Sequence, residues 1–205
     1  VEKPEVLPES LQKARTQAQN AFGDRDVYLE RFVAGASHVE VQILGDHHGN
    51  LIHIFERDCS LQRRHQKVLE ESPCSKLTSG QRKTITSAAL RLAKKVGYTN
   101  AGTVEFLVIP GGAYYFLEVN TRLQVEHPVT EMITGLDIVE LQIRISADQK
   151  LPISQADVKR KGHALEIRIY PEDPDSFLPV TGNVQALSWP EGPHIRIDSA
   201  LEVGY

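Results

Sequence analysis

The chain has 205 residues, of which 40% are hydrophobic and 24% charged, with a formal net charge of −4. This length and composition fit one large domain or two small ones and exclude a disordered chain, while the mild acidity gives no support to nucleic-acid or membrane-surface binding. No apolar run approaches the ~18 residues of a membrane helix, and two cysteines without a CxxC pairing exclude a disulfide framework and a cysteine-rich zinc site.

The pattern of apolar residues predicts helices and strands along the first 150 residues. In chain order these are a helix over 8–22, extended segments over 27–33 and 37–44, a strand over 51–56, a helix capped by Thr78 or Ser79 and closed by Gly97, strands over 102–109 and 114–120, a short helix leading to Gly135, and a helix over 137–147. Val39, Val41 and Ile43 alternate with polar residues, which is typical of a half-buried strand.

From Lys161 onward the sequence changes to a β pattern. Strands are expected over 164–170, 182–187 and 194–197, separated by proline-rich turns. The segment 152–161 is the best boundary candidate, so we divide the chain into residues 1–150 and 151–205. The predicted class is α+β.

The hairpin formed by 102–109 and 114–120 carries the strongest chemical signal. If 110–113 is a four-residue loop, Ile109 pairs with Tyr114, Leu107 with Phe116 and Glu105 with Glu118, and period-2 alternation puts Glu105, Leu107, Glu118 and Asn120 on one face. Like charges placed opposite each other are destabilising. A shared proton, a neighbouring Lys or Arg, a divalent cation, or simple solvation of an exposed face would each relieve the repulsion. Oxygen-only ligands favour Mg²⁺ or Mn²⁺ over zinc.

A polar ladder follows the hairpin. In an extended chain, Asn120, Arg122, Gln124 and Glu126 project to one side, while Leu123 and Val125 anchor the other. The planar fork of Arg122 suits a carboxylate or bicarbonate, and Glu126 has the chemistry of a general base. The alternative is an ordinary edge strand with a solvated face.

A third cluster is basic, with five positive side chains between Arg57 and Lys67. It is a candidate phosphate and anion site, a solvated face or a nucleic-acid patch. Nucleic acid is the least favoured of these, because no aromatic residue is interleaved for base stacking.

Three motifs together resemble the biotin carboxylase component of biotin-dependent carboxylases, of the acetyl-CoA or acyl-CoA carboxylase type, within the ATP-grasp superfamily. They are ERDCSLQRRHQK at 56–67, FLEVNTRLQVEHPVTE at 116–131 and GHALEIRI at 162–169. The resemblance implies an internal fragment. Residues 1–150 would be the C-terminal half of an ATP-grasp domain, an antiparallel sheet with packed helices. Residues 151–205 would be the truncated, mostly-β start of the biotin carboxylase C-terminal domain.

The resemblance also implies an activity, the ATP-dependent carboxylation of carrier-bound biotin. Bicarbonate attacks the γ-phosphate of ATP to give carboxyphosphate, and the CO2 that this releases is captured by the biotin ureido nitrogen. The implied cofactors are ATP, two Mg²⁺ or Mn²⁺ ions, and biotin on a separate carrier domain or protein. The implied partners are that carrier, a carboxyltransferase component and a second copy of the parent protein, with neither nucleic acid nor membrane. The expected compartment is the cytoplasm in a bacterium, and the mitochondrion or plastid otherwise.

Matching the motifs residue by residue gives each implied site a set of residues. The implied ATP-binding residues are Glu30, Arg31, Phe32, Val33, His38, Gln62, His65, Glu105, Leu107 and Glu118. The implied metal ligands are Glu105, Glu118 and Asn120. The implied bicarbonate pocket is Lys67, Arg122, Gln124, Val125 and Arg168, with Arg168 also facing biotin. The implied catalytic residues are Arg122, Glu126, Lys67 and Arg168.

Two other functions stay open. One is a different ATP-grasp ligase, such as a carbamoyl-phosphate synthetase-like enzyme. The other is a non-catalytic nucleotide-binding or scaffold module. Because the sequence contains no glycine-rich phosphate loop, we expect this fragment alone to bind nucleotide weakly and to turn over little, if at all.

Overall fold

One antiparallel sheet of six strands organises the molecule. The computed structural model describes Val1 and residues 3–205. The strands are β1 (Ser37–Gly45), β2 (Leu51–Arg63), β3 (Gln66–Ser72), β4 (Asn100–Val108), β5 (Tyr114–Asn120) and β6 (Ala164–Ile167), in the spatial order β5-β4-β1-β2-β3-β6. The helices are α1 (Leu7–Phe22), α2 (Ser79–Lys95), α3 (His127–Thr134) and α4 (Ile138–Ser146), preceded by a 3-10 turn at Pro4–Val6. The predicted α+β class, with an antiparallel sheet and packed helices, is confirmed.

The helix ends follow the local sequence signals. Thr78 and Gln81 form a capping box at the start of α2, and the Asp137 side chain caps α4 by accepting the Glu140 N–H. Gly23 and Gly135 end α1 and α3 at φ of 74° and 72°, a region that glycine enters without steric cost. In the part of the chain that the structure describes, no helix combines the length and apolarity needed to cross a membrane.

A cluster of buried apolar residues lies on each face of the sheet. On one face, Val39, Val41 and Ile43 of β1 pack against Ile85 and Ala89 of α2 in a fully buried cluster. On the other face, a second apolar cluster joins strand residues to α4 and to the segment after it; it contains Leu44, Ile52, Ile54, Ala101, Ile138, Leu141, Ile145, Leu151 and Val158. The sheet is therefore a central layer with a helical cover on each side.

The expectation of a half-buried β1 is wrong, because seven consecutive residues of this strand are buried. Glu40 and Gln42 point away from the α2 cluster into a second layer, where both accept hydrogen bonds from Arg57. Arg57 also donates to Thr130. Buried polar groups cost free energy unless they are hydrogen-bonded. The two sides of β1 do alternate between apolar and polar residues, but the polar side faces protein instead of water.

Several predicted strands are corrected by the structure. Residues 27–33 form no strand, and Tyr28 and Phe32 are 82% and 81% exposed, since this segment has no neighbour to pair with in the described chain. Segments 182–187 and 194–197 also lack strand structure, and the expected strand over 164–170 ends at Ile167. Conversely, β3 was not predicted, because charged residues hide its alternation. It exists because Arg64 and His65, both at positive φ, turn the chain back after β2.

Residues beyond 150 pack with those before it. β6 pairs antiparallel with β3, and Leu151 and Val158 contribute to the second apolar cluster. These contacts do not test the division at residue 150, which stays a prediction.

Candidate active site

The candidate active site is a cavity of about 370 Å³ that lies over the polar side of the sheet. Its lining is His38, Gln62, His65, Gln66, Lys67, Glu105, Glu118, Asn120, Arg122, Gln124, Val125, Glu126, Arg168 and Tyr170. Most residues singled out from the sequence therefore meet around one space. The exceptions are Leu107 and the segment from Glu30 through Arg31 and Phe32 to Val33, which are absent from this lining.

Lys67 is the central cation of the cavity. Its Nζ donates to Glu40 Oε2 at 2.6 Å, to Glu126 Oε1 at 2.6 Å and to Glu105 Oε1 at 3.1 Å. Burial alone would lower the pKa of Lys67, but the negative charges of Glu40 and Glu126 outweigh burial, and the pKa is raised. Lys67 is therefore a permanent positive charge and not a proton acceptor.

A buried arginine, Arg57, binds the same Glu40 carboxylate as this lysine. Arg57 has no exposed surface, and its guanidinium donates to side-chain oxygens of Glu40 (2.5 Å), Gln42 (2.8 Å), Thr130 (3.0 Å) and Thr103 (3.2 Å). Burial raises the pKa of the Glu40 carboxyl, but Arg57 and Lys67 outweigh it, so that the net pKa is lowered. Glu40 is thus an anion held between two cations.

A β-bulge turns Arg57 toward this layer. Between Val41 and Ile43 of β1, the partner on β2 moves from Glu56 to His53, so β2 carries one extra residue there. Phe55 lies in this stretch with φ of 60°. The bulge reverses the alternation, so Arg57 shares a face with Ile52 and Ile54, although their numbers differ in parity.

The metal-ligand candidates meet at the β4–β5 edge of the cavity. Asn120 Nδ2 donates to Glu105 Oε1 at 2.8 Å and to Glu118 Oε1 at 3.5 Å, so the three predicted ligands lie side by side. Glu105 is buried, whereas Glu118 is exposed. The sequence analysis predicted that these three residues lie together, but the hairpin register on which that prediction rested is partly wrong.

The predicted hairpin register is off by one residue near the turn. Val108 pairs with Tyr114 and Phe106 with Phe116, where the sequence analysis paired Ile109 with Tyr114 and Leu107 with Phe116. The turn is shorter than expected, because the Ile109 N–H donates to Ala113 O. An extra residue on β5 opposite Glu105 then shifts the register to Val104–Val119 and Thr103–Asn120. This bulge leaves Phe116 with the aromatic side chains of the other face and returns Asn120 to the side of Glu105.

Glu105 links the metal edge to the rest of the cavity. Its Oε2 lies 2.6 Å from His38 Nε2, and its Oε1 accepts from Gln124 Nε2 at 3.1 Å. Burial raises the pKa of Glu105, but the contact with His38 and the charge of Lys67 outweigh burial and bring the pKa to about 2. His38 is itself fixed by Gln62, whose Nε2 lies 2.9 Å from His38 Nδ1.

The segment after β5 is a loop and not an extended ladder. Gln124 and Glu126 are buried and face the cavity, and Leu123 packs on the second apolar cluster. Arg122 is exposed at the rim, where its Nη1 donates to Leu123 O. Val125 is 59% exposed, so its expected role as an anchor is wrong. The chain turns into α3 at this point, and strand alternation no longer applies.

Arg168, the residue directly after β6, closes the cavity on that side. It donates to Glu70 Oε1 at 2.7 Å through Nε and to Glu126 Oε2 at 2.9 Å through Nη2. Both oxygens of Glu126 therefore accept from a cation, one from Lys67 and the other from Arg168. Sequence reasoning missed Glu40 and Glu70, since single charged residues in strands give no signal of burial. Arg57 was part of the predicted basic cluster, but its complete burial was not predicted.

The chemistry of the donor set fits a hard divalent cation. Glu105, Glu118 and Asn120 offer only oxygen ligands, as Mg²⁺ and Mn²⁺ prefer. The Asn120 amide now presents its nitrogen to both carboxylates, and a half-turn of this side chain would present the oxygen instead. The predicted ligands are thus compatible with such an ion.

Comparison with known protein families identifies the family of this chain. Residues 1–154 match the family described as "Carbamoyl-phosphate synthase L chain, ATP binding domain", and residues 166–205 match "Biotin carboxylase C-terminal domain". The chain belongs to this ATP-binding family and, within it, to the biotin carboxylases. The match beyond residue 165 separates it from the carbamoyl-phosphate synthetase-like alternative.

Relatives agree with this assignment. "Biotin carboxylase 2" of Bacillus subtilis is 50% identical over 201 residues, which are 98% of this chain and 45% of that protein. The Campylobacter jejuni biotin carboxylase in complex with β,γ-ATP superposes with a TM-score of 0.97 at 44% identity, covering 100% of this chain and 46% of that one. The biotin carboxylase domain dimer of Hydrogenobacter thermophilus 2-oxoglutarate carboxylase, solved with MgADP, ADP and bicarbonate, gives 0.95 at 46% identity, covering 98% of this chain and 45% of that one.

The chain therefore spans about half the length of these biotin carboxylases. The predicted family and its ATP-grasp fold are confirmed. The roles of the individual site residues are not tested by these similarities and are proposals below.

Proposed function

We propose that this biotin carboxylase chain takes part in the ATP-dependent carboxylation of carrier-bound biotin by bicarbonate, through carboxyphosphate, within a larger acyl-CoA or related carboxylase. The single observation that carries the proposal is the convergence of Lys67, Arg168 and Glu126 over one cavity, beside a cluster of oxygen ligands. Cations around a base are what the attack of an anion on a phosphoryl group requires.

The base in this proposal is Glu126. Lys67 and Arg168 each hold one of its oxygens. A bicarbonate that displaces either cation from Glu126 brings its O–H to the freed carboxylate oxygen and its negative charge to the displaced cation. Glu126 then accepts the bicarbonate proton, and the deprotonated oxygen is the nucleophile toward the γ-phosphate. We assign the later transfer of the biotin proton to Glu126 as well.

The remaining polar residues bind and orient the substrates. Arg122 at the rim, Gln124 and the Val125 backbone complete the bicarbonate pocket together with Lys67 and Arg168, and Arg168 also faces biotin. His38, Gln62 and His65 line the side of the cavity assigned to ribose and phosphate. Positioning of this kind converts a reaction between separate molecules into one within a single complex.

Magnesium or manganese, when bound, would neutralise phosphate charge near the cavity. Glu105, Glu118 and Asn120 would hold the two ions, since their oxygens are the donors that such ions prefer. For adenine we propose the segment of Glu30, Arg31, Phe32 and Val33, together with Leu107. None of these residues lines the cavity in this chain.

We further propose that the carboxylase uses a biotinylated carrier, a carboxyltransferase component and a second copy of this chain's parent protein. The dimeric Hydrogenobacter domain supports the last of these. We also propose residues 1–150 as the ATP-grasp part and 151–205 as the start of the C-terminal domain. The matches to residues 1–154 and 166–205 support that division. For the compartment, we propose the cytoplasm if the source is bacterial.

The experiment is a biotin-dependent assay of the full-length gene product that contains this chain. With ATP, Mg²⁺, labelled bicarbonate and free biotin, we expect ADP release to rise with biotin and labelled carboxybiotin to form. Arg122→Gln should lose both. The matched control is Arg144→Gln, which removes another exposed arginine, one paired with Glu140 on α4. ATP cleavage that biotin leaves unchanged would overturn the proposal, and formation of carbamoyl phosphate with ammonia would support the other ligase class instead.

A further inference from the structure

Two glutamates that the mechanism above does not use face each other behind Arg168. Glu70 of β3 and Glu166 of β6 are directly paired across the two strands. Side chains at such positions have Cβ atoms ~4.5–5.5 Å apart, and two carboxylates there repel each other. Glu70 is fully buried and Glu166 is half-buried. Within the described residues, the Oε2 atom of each glutamate is buried without a hydrogen-bond partner.

The surrounding charges do not balance. Six carboxylates lie in or beside the cavity, namely Glu40, Glu70, Glu105, Glu126, Glu166 and the exposed Glu118, against four permanent cations, namely Arg57, Lys67, Arg168 and the exposed Arg122. Each of the first four carboxylates accepts a hydrogen bond from at least one of these cations. Glu166 accepts none from them within the described chain. An ionised, half-buried Glu166 would therefore lack a partner beside an ionised Glu70.

We propose that Glu70 and Glu166 are positioning residues for Arg168, and that the pair shares one proton and carries a single negative charge while Arg168 bridges Glu70 and Glu126. The inference rests on the proposed function only in that Arg168 acts there on bicarbonate and biotin. If both glutamates were ionised, Glu166 would compete for the guanidinium and draw it along β6, away from Glu126. The shared proton removes this competitor.

The groups around the pair support such a proton. Burial and Glu70 raise the pKa of Glu166 to about 7, with a smaller raising effect from Glu126 and opposing effects from Arg168 and Arg57. Burial also raises the pKa of Glu70, against the effect of Arg168.

Helix α3, which packs on β6, brings two further titratable groups. Both are engaged elsewhere: His127 with Gln124 O, and Glu131 with Arg196 and the Ile138 N–H. They therefore offer the pair no competing partner.

Titration of this chain tests the shared proton. With glutamate labelled with ¹³C at the side-chain carboxyl, we expect wild type to show one carboxyl with a midpoint near 7, far above the usual 4.5. Glu166→Gln should abolish that titration. Glu70→Gln should lower the midpoint by at least about one pH unit, because it removes the like charge and frees Arg168 to pair with Glu166. Glu71→Gln, a change at the next position of β3 whose side chain contacts Ser75 and His163, should leave it unchanged.

The proposal fails if all carboxyls of the wild-type chain titrate below about pH 5.5, since both glutamates would then be ionised at neutral pH. It also fails if the high midpoint survives in Glu166→Gln. An amide fingerprint spectrum checks that each variant is folded. Should Glu70→Gln not fold, the Glu166→Gln titration still decides.

The position of Arg168 is followed separately through its Nε–H signal. Because this proton is donated to Glu70, it should exchange slowly with water in wild type and in Glu166→Gln at pH 6, and rapidly in Glu70→Gln. In wild type, exchange should accelerate as the pH rises through the Glu166 midpoint. A signal indifferent to Glu70→Gln would overturn the positioning role. Neither measurement uses ATP, bicarbonate or biotin, so a failure of the proposed function would show only in the turnover assay.

Discussion

The two faces of β1 are equally buried and are stabilised in different ways. On the α2 face, Val39, Val41 and Ile43 pack against apolar side chains. On the opposite face, Glu40 and Gln42 meet the guanidinium of Arg57. Stability on the apolar face depends on area and fit, and the loss of one methyl group is felt only locally. On the polar face each group depends on its partner, because an uncompensated buried charge costs far more than a small cavity.

The two faces of β1 also differ in whether they contribute to the candidate active site. The α2 face brings no side chain to the cavity, whereas Glu40 lies directly under Lys67. The charges that the site needs are fixed by other charges in the interior instead of by water. A site built in this way is preorganised for an anion, and it is vulnerable to the loss of any one partner.

The largest expected effect comes from breaking the polar layer at its centre. Arg57→Met keeps most of the side-chain volume but leaves Glu40 buried with Lys67 as its remaining cation. We expect unfolding free energy to fall by about 3–5 kcal/mol, as for other broken buried ion pairs. Urea denaturation followed by circular dichroism measures it.

The double variant Arg57→Met/Glu40→Gln is the matched control for that measurement. It removes both charges, so it should recover part of the loss. If the single variant lost less than about 1 kcal/mol, the polar face would behave like an ordinary surface and the contrast between the faces would be wrong.

The next largest effect is expected on catalysis, with little change in the free energy of unfolding. Arg122 lines the cavity but is exposed at its rim. Arg122→Gln should therefore change unfolding free energy by no more than about 0.5 kcal/mol. In the full-length gene product the same substitution should reduce biotin-dependent ATP cleavage by about 10²–10³-fold, the usual effect of removing one positioned donor to a reacting anion. A stable variant with unimpaired turnover would remove Arg122 from the proposed bicarbonate pocket.

A smaller effect is expected on the apolar face. Ile43→Val deletes one methylene group from a fully buried position against the α2 cluster. The expected loss is about 0.5–1.5 kcal/mol in the same urea experiment, with no change in turnover. A loss as large as that of Arg57→Met would show that both faces depend on packing alone.

The sequence was sufficient to predict burial on the apolar face of β1, but it was insufficient to predict burial on the polar face. Alternation in β1 correctly placed Val39, Val41 and Ile43 inside, where Ile85 and Ala89 of α2 cover them. The helix expected to close at Gly97 ends at Lys95, and Val96 beyond it is 65% exposed. Most of the residues that the family motifs imply as site residues line one cavity.

What sequence reasoning could not supply is the effect of two bulges. One residue more in β2, near Phe55, turns Arg57 inward, and one more in β5 brings Asn120 beside Glu105. Period-2 reasoning assumes a regular ladder and cannot see either change. Glu40 and Glu70 were missed for a related reason, since whether a charged strand residue faces water depends on what packs above it.

The last expected effect, about as small as that of Ile43→Val, concerns the pH dependence of stability at the edge of the polar layer. The pKa of Glu166, raised to about 7 by burial and by Glu70, exceeds the 4.5 of an ordinary glutamate. The folded chain therefore binds more protons than the unfolded chain between these values, and this part of the stability is complete below pH 4.5 and is lost as the pH rises through 7. Glu166 is half-buried, so solvent screening reduces the effect to about 1 kcal/mol. Glu166→Gln should remove this dependence, so that the variant gains on wild type between pH 5 and pH 8, as measured by urea midpoints. An unchanged difference between the two proteins across that range would show that Glu166 is ionised throughout and that the polar layer tolerates an unpaired charge.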